Sequence, residues 1–116
     1  MESSNWTYRQ GTGYQSGMDL AGFEVEATDG RIGKVDKHDD ETDARHILVD
    51  IGRWIFGRQA LLPVGMILKV DPVDRVVYVD RSKDAIKNAP EYDRDRLDGT
   101  PDYYQQVSGY YFPGPL

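Results

Sequence analysis

The chain has 116 residues, with 14 Lys+Arg against 20 Asp+Glu and a formal charge of -6, and 39% of it is apolar. That length supports one core and no second one. The acidic balance opposes phosphate backbones and anionic membrane surfaces, and the absence of cysteine removes disulfides, thiolate nucleophiles and Cys-ligated zinc.

Met1 to Gly17 hold one acid, Glu2, and one base, Arg9, among many Gly, Ser, Thr and Gln, with no period of 2 or 3.6. They read as a flexible leader, in which Trp6 and Tyr8 are apolar enough to dock. From Leu20 to Asp80, short alternating or β-branched segments separated by turn signals predict strands. Phe23, Val25 and Ala27 alternate with Glu24, Glu26 and Thr28, and Asp29-Gly30 supplies a type I′ hairpin turn. Arg31 to Lys37 returns, with Gly33 placed for a bulge or close packing. The polar run His38 to Arg45 reads as an exposed hairpin loop. His46 to Ile51 is the third strand, with a reversal around Gly52 to Gly57. Gln59 to Pro63 is the fourth, in which Leu61 and Leu62 point to opposite faces and both need cover. Val64-Gly65 turns the chain, and Ile67 to Asp71 and Arg75 to Asp80 follow as the fifth and sixth strands around Pro72-Val73-Asp74. Six short strands with two partly apolar faces must close or fold over themselves, so the expected fold is mainly β, a small six-stranded antiparallel β-barrel.

Beyond Asp80 the pattern becomes helical. Ser82 caps a short helix, Lys83 to Ala89, that Pro90 stops. Thr100 is placed to cap a second helix, with Pro101 at its first position, Asp102 at the positive end of its dipole and Gly109 as its stop. Tyr103, Val107 and Tyr110 then share one face. The predicted organisation is a leader over 1–17, a barrel over 18–81 and a Tyr-rich helical extension or arm over 82–116.

The order of these residues resembles the PRC-barrel family, the domain found in the cytoplasmic part of the photosynthetic reaction centre H subunit and at the C-terminus of the ribosome maturation factor. The resemblance runs from about Leu20 to Pro90. It is carried by Asp19-Leu20-Ala21-Gly22-Phe23-Glu24-Val25, Asp29-Gly30-Arg31-Ile32-Gly33-Lys34-Val35, Ala60-Leu61-Leu62-Pro63-Val64 and Arg75-Val76-Val77-Tyr78-Val79-Asp80. Ser82-Lys83-Asp84 and Ala89-Pro90-Glu91-Tyr92 are similar to the segment that leaves the barrel in stand-alone and reaction-centre-like members, and Tyr110-Tyr111 to their aromatic ending. The resemblance implies a six-stranded barrel without a catalytic centre, used for docking onto other macromolecules. Met1 to Gly17 contain neither the membrane helix that precedes the barrel in H subunits nor the domain that precedes it in maturation factors, so neither role transfers.

Reactive constellations are not legible in the chain. The acidic loop Asp36 to Asp43 is interrupted by Lys37 and His38 and lacks the Gly and closing Glu of a calcium loop, so it reads as a solvated hairpin tip. His38 and His46, expected toward opposite ends of one hairpin, lack the third ligand of a catalytic zinc. Gly11-Thr12-Gly13 is followed by neither the third glycine of a dinucleotide fingerprint nor a Gly-Lys-Ser/Thr. No catalytic, cofactor-binding or metal-ligating residue is assigned.

The apolar cluster Trp54-Ile55-Phe56, flanked by Arg53 and Arg58, either plugs an open end of the barrel or anchors a partner. The Tyr103, Val107, Tyr110 and Tyr111 face either folds back over its own barrel, exchanges with a second chain or captures another protein. The expected function is therefore a non-catalytic protein-interaction module that self-associates as a homodimer, using Arg53, Trp54, Ile55, Phe56, Tyr103, Val107, Tyr110 and Tyr111. No nucleic acid, cofactor or membrane insertion is expected. The longest stretch free of charge and amide groups, Ala60 to Leu68, contains Pro63 and Gly65 and falls short of ~30 Å of hydrocarbon, and no signal peptide opens the chain. The expected location is cytoplasmic. The alternatives are a ribosome-associated assembly factor binding a ribosomal protein, a docking module of an electron-transfer membrane complex, and a metal or small-molecule sensor.

Overall fold

In the computed structural model, which describes residues 4–41, 43–52, 58–92 and 101–113, the six expected strands form one sheet. They are β1 (Glu24–Ala27), β2 (Gly30–Asp39), β3 (His46–Asp50), β4 (Gln59–Pro63), β5 (Ile67–Asp71) and β6 (Val76–Val79), in the order β4-β3-β2-β1-β6-β5. Two expectations are corrected. The sheet is mixed, because β1 and β6 run parallel with Glu24 beside Val76 and Glu26 beside Tyr78, while the other neighbouring pairs are antiparallel. The ring is also not closed by backbone pairing among the described residues, and β4 and β5 are its two edges. Both follow from the buried 3-10 turn Val64–Met66, which shifts the chain without reversing it. β5 then runs in the same sense as β4, and the β5–β6 hairpin returns to the far side of β1.

The strands follow the side-chain alternation. Phe23, Val25 and Ala27 are buried, while Glu24 and Glu26 lie on the outer face and pair with Arg31 across the β1–β2 hairpin. Ala27 pairs with Gly30, so the tight loop is Thr28-Asp29, and Gly30 alone takes a positive φ of 131°. That corrects the type I′ turn placed on Asp29-Gly30. The Asp29 carboxylate accepts instead from the backbone N–H of Lys83 at 2.9 Å, which ties the hairpin tip to the next helix. Gly33 fulfils both readings offered for it. The register shifts beside it, and an added Cβ would sit 2.2 Å from the Asp50 carbonyl oxygen.

Leu61 and Leu62, pointing to opposite faces of β4, are both buried. The sheet therefore has apolar cover on both sides, each such leucine contributing about 1.5–3 kcal/mol relative to exposure. Helices supply part of it. Helix α1 (Lys83–Lys87) packs beside β2 and buries Ile86, and the Ser82 hydroxyl caps it by accepting from Ala85 N–H at 3.1 Å. Helix α2 (Pro101–Tyr111) packs beside β4 and buries Tyr103, Val107 and Tyr111. It runs through Gly109, where the sequence predicted its stop, because the last turn carries Tyr111 into the core.

Candidate interaction surface

The segment whose composition reads as a flexible leader crosses the sheet as a strap. At its centre Thr12 is buried and its carbonyl accepts from the Val70 N–H at 2.7 Å, on the edge strand β5. Gly13, at φ 94°, lets the backbone approach so closely that a Cβ there would meet the Val70 carbonyl at 2.9 Å. Arg9 bridges two neighbours, its Nε donating to the Gly65 carbonyl at 2.7 Å and its Nη2 pairing with Asp80 at 2.5 Å. Toward the other end, Trp6 packs edge-on against Tyr104 of α2 with centroids 5.6 Å apart, and Asn5 donates to the Ser108 hydroxyl.

A polar network fixes the strap to the β2–β3 hairpin. Tyr8 and Tyr14 stack with centroids 3.8 Å apart and planes 6° from parallel. Both hydroxyls donate to the Asp40 carboxylate, Tyr8 at 2.7 Å. The backbone N–H of Leu20 donates to His38 Nδ1 at 3.1 Å, which places the proton of a neutral ring on Nε2, facing Tyr8 Oη at 2.7 Å and Asp40 at 3.1 Å. The His38 side chain is only 3% exposed. This corrects the reading of 38–45 as a wholly exposed loop: β2 continues through Asp39, because the strap gives a polar strand end partners. It also corrects the separation of the histidines, since Asp39 pairs with His46 and His38 with Ile47 at the same end of the hairpin. His46 points elsewhere, its Nδ1 on the Ala44 carbonyl at 2.7 Å, and burial pushes its pKa down.

The charge states of the network set a pH window. Burial pushes the Tyr8 and Tyr14 hydroxyls up, and the Asp40 carboxylate that accepts from both pushes further. Burial alone would raise Asp40, but the two hydroxyls and His38 outweigh it and hold the carboxyl below its ordinary value. Raised tyrosines stabilise docking below their ordinary range and lose that contribution as pH climbs past about 10, whereas the lowered carboxyl loses its contribution as pH falls below about 4. With Trp54→Phe leaving Trp6 as the sole tryptophan, its emission should report a docked strap at neutral pH and release in strong base and strong acid. Emission unchanged to about pH 12 would contradict this assignment.

The residues singled out from sequence fall into three places. Arg53, Trp54, Ile55 and Phe56 lie outside the described residues, as does the expected cap Thr100. Tyr103, Val107 and Tyr111, spaced i, i+4, i+8, face the chain's own core and offer no free surface. Tyr110 is 39% exposed and donates to the Ala85 carbonyl at 2.7 Å, so the shared apolar face ends on Tyr111 in its place. The docking role of Tyr14, Arg9 and Thr12 was not read from the sequence. The available signal was a pair of tyrosines and an arginine in an otherwise Gly- and Ser-rich segment.

Among the described residues no cluster of three or more His, Asp or Glu side chains is arranged to hold a metal ion, and no helix is long and apolar enough to cross a membrane. The chemistry on display is docking of an irregular segment: one backbone bond at a strand edge, an arginine on a carboxylate, and aromatic rings with hydrogen-bonded hydroxyls. The profile of the PRC-barrel domain family matches residues 16–86. Comparison with curated proteins gives no match.

Proposed function

Because the chain belongs to the PRC-barrel domain family, we propose that it is a non-catalytic protein-interaction module that self-associates. The observation that carries the reading is the occupied edge of β5, where Val70 donates to the Thr12 carbonyl of an irregular, turn-containing segment laid across the sheet. Main-chain bonding to a free sheet edge, with flanking side chains supplying selectivity, is a general element of peptide recognition, and here one such bond is made. Here the flanking contacts are Arg9 on Asp80 and Tyr8 and Tyr14 on Asp40. Tyr110 and the segment Arg53 to Phe56 are the further surfaces proposed for protein contact, and the proposed location is cytoplasmic.

Light scattering of the full chain across micromolar concentrations tests the self-associating part. The expected result is an apparent mass that climbs with concentration above the 13.2 kDa of one chain. A mass that stays at one chain throughout would remove self-association.

A further inference from the structure

We infer that the track beneath the strap is a peptide-binding groove that also accepts the strap of a second copy, so that two chains associate by exchanging residues 5–16. The inference rests on the self-association reading and names the surface responsible.

The strap meets the sheet as a ligand meets a receptor. The core beneath it is mostly Val, Ile and Leu, with Phe23, Met66, Tyr103 and Tyr111 among them, whereas the contacts of the strap come from Trp6, Tyr8, Arg9 and Tyr14. Trp, Tyr and Arg are the residue types that dominate interfaces between separate molecules, and Thr12 is the strap's one fully buried residue. The pairing is complementary in charge, with Arg9 set on Asp80 and the Gly65 carbonyl. It is also specific in shape, because only glycine at position 13 fits against the Val70 carbonyl.

The joint between strap and sheet is a single tight turn. Gln15 to Met18 form a tight turn, with Met18 N–H on the Gln15 carbonyl at 3.0 Å. Gly17 sits in it at φ 96° with nothing within 4 Å of the place a Cβ would occupy. Opening that turn gives up the bonds inside it, Met18 N–H to Gln15 and the Gly17 backbone to the Tyr14 hydroxyl, and leaves the contacts of Trp6, Tyr8, Arg9 and Thr12 with the sheet and helix available to recur. In an exchanged pair the contacts of Trp6, Tyr8, Arg9 and Thr12 recur between chains, so the balance is set by the turn and by concentration, with the closed form favoured by an effective concentration on the order of millimolar.

Two glycine substitutions separate hinge from contact. A Cβ at Gly17 meets open space, so Gly17→Val acts by resisting the positive φ of the closed turn, where the Gly17 backbone also bonds the Tyr14 hydroxyl, and it leaves the Thr12 and Arg9 contacts with the sheet intact. Gly13→Val breaks the contact in either arrangement. In full-length chains, with the dimeric fraction measured with Trp54 intact and Trp6 emission read in the Trp54→Phe background, Gly17→Val is expected to raise the dimeric fraction by at least about tenfold while Trp6 emission stays that of a docked strap. Adding Gly13→Val should return the chain to monomer with Trp6 exposed. A Gly17→Val chain that stays monomeric with its strap released overturns the inference, as does a dimer that survives Gly13→Val. Wild-type self-association that persists in Gly13→Val would remove strap exchange and leave the proposed function standing. A monomeric wild type converted to dimer by Gly17→Val would do the reverse.

Discussion

Gly33→Val is expected to destabilise the domain by about 3 kcal/mol or more and to lower its urea midpoint sharply. The added Cβ would lie 2.2 Å from the Asp50 carbonyl oxygen and 3.1 Å from its carbon. The obstructing atoms are backbone, fixed by the pairing of Asp50 with Lys34 on one side and Gln59 on the other, so no rotamer change relieves the clash. Overpacking within a core typically costs about 1–3 kcal/mol, and a backbone clash in the centre of a sheet belongs at or above the top of that range. Against a total stability of about 5–15 kcal/mol, the loss removes much of the margin, and the remaining two γ-methyl groups add to it. Far-UV circular dichroism and the urea midpoint are the measurements. Gly109→Ala is the control: it meets open space within α2, and should stabilise by roughly 0.5–1 kcal/mol by favouring helix.

Tyr111 offers the second large effect, and a contrast that tests its cause. Its ring is 2% exposed, and its hydroxyl is buried without a hydrogen-bond partner among the described residues. Tyr111→Ala should cost about 3–5 kcal/mol through the cavity it leaves and should undock the last turn of α2. Tyr111→Phe should be neutral or stabilising by up to about 1 kcal/mol, since it deletes a desolvated group with no partner among the described residues. Urea unfolding of both variants separates the contributions. A strongly destabilised Tyr111→Phe would mean that the hydroxyl is bonded after all, and a mild Tyr111→Ala would mean that α2 does not complete the core.

These two residues also mark how far the sequence can be read. Gly33 was legible because a glycine inside an alternating strand has few uses, and the bounds of β4 and β5 were legible because Pro63 and Asp71 punctuate short apolar runs. The parallel pairing of β1 with β6 was not, since it depends on the Val64–Met66 turn shifting the chain where a local signal implied reversal. The helix face was read to within one residue: Tyr103 and Val107 set the stripe, and burial rather than spacing chose Tyr111 over Tyr110. The strap was hidden by its composition. Its order comes from bonds to residues far along the chain, Asp40, Gly65, Val70 and Asp80, and no window of local pattern contains both partners. His38 illustrates the same limit, a polar residue in an acidic run that tertiary contacts turn into a buried, fully bonded one.

Docking of the segment around Thr12 at the β5 edge carries the functional reading, and it can be tested in trans. Full-length Gly13→Val protein, its own strap displaced, would be titrated with a synthetic peptide spanning residues 4–17 of the natural sequence while backbone amide resonances are followed. The account predicts saturable binding, with the shifts concentrated at Val70, Asp80, His38 and Asp40. No binding at peptide concentrations of about a millimolar, or shifts confined to other faces of the sheet, would contradict it.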